Sequence, residues 1–219
     1  MNQAKIFVGA VAAIAVVFAG ATMVFNVSKP ASTAPIPEAN QAALVRAHAP
    51  TLGPPGAPVV IVEFLDPACE TCATFYPMVK EMMAANPGRI RLVLRWAPFH
   101  NGSQDVVAML EAARRQDKFW PALEALLASQ ADWAPDHTSQ VALAWKHLDG
   151  LGLNREKMQA DMASPEIAQL IAQDLEDART LNVTMTPEYF VNGKPLPSFG
   201  YEQLKQLVDD ALKQTRQSP

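Results

Sequence analysis

The sequence predicts an α/β domain in which a strand–helix–strand unit and a strand–hairpin–helix unit are separated by an all-helical insertion. Three observations carry this. A short apolar, β-branched run at Val59–Leu65 leads into helical periodicity and then into an alternating run ending at Trp96; helical spacing alone persists from Ser103 to Thr180; and strand character returns at Tyr189–Val191, directly before Asn192-Gly193. The domain is expected to span 58–213, with the insertion at about 103–180 and a tail at 214–219. Ahead of it stand an apolar segment, 1–28, and a proline-rich spacer, 29–57.

Composition excludes several classes. The 219 residues carry 18 Lys plus Arg against 22 Asp plus Glu, a net charge of −4, with 49% hydrophobic and 18% charged residues. That is neither a disordered acidic chain nor a nucleic-acid binder, whose phosphate contacts demand a clustered Lys/Arg surplus. With only two cysteines, Cys69 and Cys72, no multi-disulfide scaffold exists.

From Ile6 to Phe25 there is no charge and one polar residue, Thr22. As a helix this run reaches roughly 30 Å, enough to span a bilayer. A cleaved signal ending near Ala19-Gly20-Ala21 is the competing reading; the length favours a retained anchor, with the N-terminus cytoplasmic and the globular part exported. Seven prolines between Lys29 and Pro58 stiffen the next stretch toward polyproline II and are expected to prevent a packed element. Within it, Gln41–His48 can form two helical turns with Leu44 and Val45 on one side.

Val59–Leu65 reads as a strand buried on both faces, closed by Asp66-Pro67. Helical steps follow through Phe75, Met78, Val79, Met82 and Met83, and Asn86-Pro87-Gly88 ends that helix. In Arg89–Trp96 the alternation sets Ile90, Leu92 and Leu94 on one face. After the helical block, Tyr189–Val191 and Lys194–Leu196 form a hairpin, and Tyr201–Lys213 is an amphipathic helix built on Leu204, Leu207, Val208 and Leu212.

Cys69-Glu70-Thr71-Cys72 sits where the buried strand hands over to a helix. Unpaired N–H groups and the positive end of the helix dipole lower the pKa of a thiol placed there. Cys72, one turn on, falls within the Cα separation of about 4.4–6.8 Å that a disulfide needs. A zinc site would need four ligands, and the remaining candidates are only the scattered histidines 48, 100, 137 and 147, which read as surface or helix-cap residues. Reversible redox chemistry is the expected role, with no metal and no cofactor.

Glu63-Phe64, the Cys-x-x-Cys at a helix start, Pro77, and Thr186-Pro187-Glu188-Tyr189-Phe190-Val191-Asn192-Gly193 together resemble the thioredoxin superfamily. Arg95-Trp96-Ala97-Pro98-Phe99-His100, the helical insertion and Lys118-Phe119-Trp120 resemble its DsbA-like branch of periplasmic thiol-disulfide oxidoreductases. The resemblance implies a thioredoxin fold, Cys69 and Cys72 as the catalytic pair, and a cis Thr186-Pro187 bond facing them, with the Thr186 backbone pairing to an extended substrate. A carboxylate inside Val59–Leu65 is poorly solvated, and related proteins keep a buried acid six residues before the first cysteine, so Glu63 is expected to relay protons for Cys72. Glu70 is negative and Thr71 neutral where a histidine would add positive charge, so both are assigned to redox tuning and the pair is expected to lean toward reduction.

The expected activity is exchange of disulfides with exported proteins by a membrane-tethered monomer. An unidentified membrane redox partner is expected, and no nucleic acid. Two alternatives remain: a copper-handling protein using the pair with methionines 78, 82, 83 and 185, and a non-catalytic folding adaptor that binds peptide beside Thr186. Trp96, Trp120, Trp133 and Trp145 read as packing residues, and Asp174, Glu176 and Asp177 as a solvated helix face.

Overall fold

The computed structural model describes residues 36–217. The expected anchor, the start of the spacer and the last two residues lie outside the described residues. In chain order the elements are β1 (Thr51–Leu52), β2 (Val59–Leu65), α1 (Glu70–Ala85), β3 (Ile90–Trp96), α2 (Ser103–Arg114), α3 (Phe119–Ala128), α4 (Gln130–Trp133), α5 (Val141–Ala144), α6 (Arg155–Met162), α7 (Pro165–Thr180), β4 (Glu188–Val191), β5 (Lys194–Pro195) and α8 (Tyr201–Gln217). The sheet order is β1-β3-β2-β4-β5. β2 and β3 are parallel, as the intervening helix requires, and β4 runs antiparallel to β2 on its other side.

Each strand of the centre is buried on both faces, and each face has its own cover. Ile61 and Leu65 of β2, Leu92, Leu94 and Trp96 of β3, and Tyr189 and Val191 of β4 pack with α1, the helical insertion and α8. Val62, Phe64, Val93 and Phe190 point the other way, onto Ala178 and Leu181 at the end of α7 and onto Ala43, Leu44 and Ala49. The alternation in β3 therefore marks one buried face while the opposite one is buried as well: Val93 and Arg95 are both fully enclosed.

Ala43, Leu44 and Ala49 correct the expectation that prolines keep 29–58 free of packed elements. Thr51–Leu52 pairs antiparallel with β3, and a 3₁₀ helix covers Glu38–Ala43 in place of helical turns over Gln41–His48. Leu44 is buried while Val45 is exposed, so the two do not share a side. Prolines stiffen this segment, yet an extended stiff strap suits a strip of sheet whose apolar residues need a lid.

The predicted solvated face at Asp174 and Asp177 is also corrected; only Glu176 is exposed. Asp174 and Asp177 are buried because fully enclosed Arg95 needs counter-charges. Its Nη2 donates to Asp174 Oδ1 at 2.7 Å and to Asp177 Oδ2 at 2.6 Å, while Nη1 donates to the carbonyls of Ala43 and Leu44. Arg46 donates to both oxygens of Asp177, at 2.8 and 2.6 Å, and His48 Nε2 lies 2.6 Å from Asp174 Oδ1. The Trp96 amide donates to Asp174 Oδ2 at 2.8 Å. One ionic network thus joins the strap, β3 and α7. Removing one partner leaves the other charge buried and unpaired, which costs more than the pair contributes. Asp174→Ala is accordingly expected to lower stability by about 3–5 kcal/mol, read from urea unfolding curves; a loss below about 1 kcal/mol would mean that Arg95 finds other partners.

Candidate active site

Cys69 is the N-cap of α1, with extended backbone angles (φ −83°, ψ 116°), which sets its sulfur near the first free amides of the helix, those of Thr71 and Cys72. The preceding turn is fixed by Asp66, which is fully buried. Its Oδ1 accepts from the Ala68 amide at 2.8 Å, and its Oδ2 accepts from the amides of Phe99 and His100 at 2.7 and 2.8 Å and lies 2.8 Å from His100 Nδ1. The Gln130 side chain donates to the carbonyls of Pro67 and Cys69, at 2.7 and 3.0 Å. His137 stacks on His100 with ring centroids 4.7 Å apart, and its Nδ1 lies 3.3 Å from the Ala68 carbonyl. Histidines read as surface or capping residues are thus part of the frame that holds the turn. Their contacts cross from the insertion to the cysteine loop, which no local pattern reports.

The Thr186-Pro187 bond is cis, and the Cys69 thiol donates to the Thr186 carbonyl oxygen at 3.2 Å. Both cysteines are free thiols. Cys69 is held down to about 5, first by the Cys72 thiol that donates to it, against the opposing effect of burial. The Thr186 side chain and the amides of Cys72 and Thr71 add to this. The Thr186 hydroxyl is buried and has no hydrogen-bond partner among the described residues, so its hydrogen is available to the anion. Thr71 therefore acts through its amide, while the Glu70 side chain is exposed.

Cys72 is the opposite case. Fully enclosed, it is pushed well above the usual thiol range, chiefly by burial and then by the hydrogen bond it gives to Cys69. Glu63 lies on the same face of β2 as Ile61 and Leu65 and is also fully enclosed. Burial raises its carboxyl to about 8, partly offset by the Tyr189 phenol, which donates to Oε1 at 3.0 Å; negative charge on Cys69 raises it further. Glu63, Cys69, Cys72, Thr186 and Pro187 are thus brought together, with Tyr189 as an added member. Two residues after Pro187, Tyr189 reads in the sequence as a strand core residue, and only the β2–β4 register reveals its partner. Met82 lies in the core and Met185 is exposed, two different settings for methionines considered as copper ligands. Among the described residues no group of three or more His, Cys, Asp or Glu side chains is placed to hold a metal.

A low-pKa sulfur at a helix N-terminus, a protonated partner one turn away and a cis-prolyl loop against them form a site that can open a disulfide and close its own. The fold and this site define the class, a thioredoxin fold carrying a paired-thiol centre. The chain belongs to the thioredoxin family, whose sequence profile matches residues 46–210. It is 29% identical to a probable disulfide bond formation protein D of Bacillus anthracis, over 74% of this chain and 78% of that one. The crystal structure of a thioredoxin-like oxidoreductase from Silicibacter pomeroyi superposes with a TM-score of 0.67 at 29% identity, covering 82% of this chain and 99% of the other. A Na(+)/H(+) antiporter NhaA 3 of Salinispora tropica is 31% identical over 76% of this chain, which spans 25% of the antiporter's length.

Because Cys69 alone is acidified, alkylation of the reduced protein by iodoacetamide is expected to fall tenfold per pH unit below about 5 and to be flat above about pH 6.5. A small free thiol, with a pKa of about 8.5, continues to accelerate to about pH 9. Peptide mapping is expected to find the label on Cys69, with Cys72 unmodified. An inflection near about 8.5 would remove the acidified nucleophile.

Proposed function

We propose that this protein exchanges disulfides with exported proteins on the periplasmic side of the bacterial inner membrane, tethered by residues 1–28 and working as a monomer with a membrane redox partner. The observation that carries this reading is the Cys69 sulfur, borne by the N-cap residue of α1 and facing the Thr186 carbonyl of the cis-prolyl loop. The apolar run Ile6–Phe25 and the disulfide-permissive chemistry of the exterior support the location. Among the described residues no helix is long and apolar enough to cross a membrane, so the tether rests on the sequence of the N-terminal segment alone.

In the reducing direction the Cys69 thiolate attacks a substrate disulfide, and one substrate sulfur leaves and takes a proton from solvent. Cys72 gives its proton to the Glu63 carboxylate and attacks Cys69 Sγ; the mixed disulfide breaks and the second substrate sulfur leaves. Two electrons pass from the dithiol to the substrate, and the reverse sequence oxidises a substrate dithiol. Thr186 offers backbone groups to an extended substrate, and the exposed side chains of Phe99, Met185 and Phe199 offer apolar contacts to its flanking residues.

The expected lean toward reduction rests on Glu70 being negative and Thr71 neutral where a histidine would add positive charge, and on Thr186 standing before the cis-proline. The Glu70 side chain is exposed, and the groups addressing Cys69 are thiol, hydroxyl and amide donors. A thiolate pKa of about 5 lies between those of thioredoxin, about 7, and of strongly oxidising DsbA, about 3.5. Stabilising the thiolate stabilises the reduced pair, which makes the disulfide a better oxidant. We therefore assign oxidation as the favoured direction. The copper-handling alternative gains no support from the donors present.

Equilibration of the full chain with glutathione is expected to give a Cys69/Cys72 potential between about −270 and −120 mV. Cys69→Ser is expected to abolish both insulin reduction and oxidation of a dithiol peptide. A potential at or below about −270 mV would overturn the oxidising assignment, and activity surviving in Cys69→Ser would overturn the enzyme reading itself.

A further inference from the structure

Tyr189 belongs to the floor of the site, yet none of the steps above uses it. It stands directly opposite Glu63 in the β2–β4 register, fully buried, with its phenol on Glu63 Oε1 at 3.0 Å. Its ring lies against Phe75, with centroids 6.1 Å apart and planes at 28°, and Phe75 is packed in turn on Phe199 at 4.8 Å. Strand register fixes the backbone of Tyr189 and ring stacking fixes its side chain, so the hydroxyl has little freedom to leave the carboxyl.

The other carboxyl oxygen is in a different position. Glu63 Oε2 is buried and has no hydrogen-bond partner among the described residues. A donor on one oxygen only makes the two inequivalent: the anion is stabilised through Oε1, and the acid carries its hydrogen on Oε2. The ionisable groups around this pair are Cys69, Cys72 and Tyr76 on α1, along with Glu63 itself. Burial and the negative charges of Glu63, Cys72 and Cys69 hold the Tyr189 phenol protonated, so it remains a donor throughout the cycle.

We propose that Tyr189 is the positioning residue of the proton relay, holding Oε1 as the acceptor oxygen and leaving Oε2 to take the Cys72 proton and release it. This rests on the reading of Glu63 as that relay. In the resolving step the Cys72 proton moves to Oε2 and the Cys72 sulfur pair forms the bond to Cys69 Sγ. The bond from Cys69 to the substrate sulfur breaks, and its electron pair leaves with that sulfur, which is protonated from solvent. The relay cycles between carboxylate and acid and neither gains nor loses electrons.

The test is single-turnover resolution of a mixed disulfide between Cys69 and a thiol peptide, followed against pH in the full chain. Tyr189→Phe keeps the ring against Phe75 and removes the donor. The inflection due to Glu63 is expected to rise by about one pH unit and the rate at neutral pH to fall about tenfold, the size of a lost hydrogen bond to a charged group. Difluorotyrosine at position 189, a stronger donor of the same shape, is expected to move the inflection down. Infrared difference spectra are expected to show the C=O stretch of protonated Glu63 at higher frequency in Tyr189→Phe. In the Glu63→Gln background, which is expected to lack the inflection, Tyr189→Phe is expected to add nothing. If Glu63→Gln removes the inflection but neither change at position 189 moves it, Tyr189 has no positioning role and the relay stands. If the inflection survives Glu63→Gln, the relay reading fails and this inference fails with it.

Discussion

The site depends on the antiparallel register of β2 and β4. Antiparallel neighbours bring the end of one strand beside the start of the other, so the turn leaving β2 and the loop entering β4 meet at one end of the sheet. The first carries Cys69 and the second carries Thr186-Pro187. Inside the sheet the same register sets Glu63 opposite Tyr189. A slip of one residue would turn Tyr189 to the opposite face, where Phe64 and Phe190 pack, and would remove the one side-chain hydrogen bond that Glu63 makes among the described residues.

Register is specified strongly wherever a face of the strand is buried, and here the second face is covered as well, by an unexpected element. The strap from 36 to 57 and the end of α7 close over Val62, Phe64, Val93 and Phe190. The charged network around Arg95 ties strap, β3 and α7 together. Its guanidinium also lies 5.4 Å from the Phe64 ring, so charge and apolar cover meet on the same strand pair. Buried ion pairs contribute little net stability against a well-packed apolar alternative, but they penalise any arrangement that leaves one charge alone. The network therefore acts on geometry: the strap cannot shift along the sheet without stranding Arg95, Asp174 or Asp177.

The active-site elements were legible where the signal was local. Val59–Leu65, the helix after Cys69 and the Asn192-Gly193 hairpin follow from periodicity and turn chemistry, and the resemblance located the cis bond at Pro187. Signals that depend on contacts between distant segments were not legible. Asp174 and Asp177 fall on a polar stripe of α7 that pattern alone reads as solvated, because burial is decided by Arg95, 79 and 82 residues away. Asp66, His100 and His137 read as a strand stop and two scattered histidines until the insertion folds back onto the cysteine turn. Similarly, the charge of Glu70 was legible but its direction was not: as the first residue inside α1 it points to solvent, while its neighbours' amides point to the sulfur.

Burial gives the site a rule about charge. Glu63, Cys69 and Cys72 share a poorly solvated setting in which negative charge on Cys69 raises Glu63, and negative charge on either raises Cys72. A single anion is therefore favoured, and in the reduced protein it resides on Cys69, the member with the most hydrogen-bond donors. When Cys69 enters a mixed disulfide its charge is consumed, and its share of the upward shift of Glu63 and Cys72 is removed at that moment, while burial continues to hold both up. Cys72 then becomes easier to ionise and Glu63 a more available base, without any movement of the fold. The order of attack follows: Cys72 is suppressed while Cys69 is free and is released once Cys69 is occupied. The asymmetry of the pair thus comes from one helix N-terminus and one buried strand, with the residues between the cysteines contributing mainly their backbone.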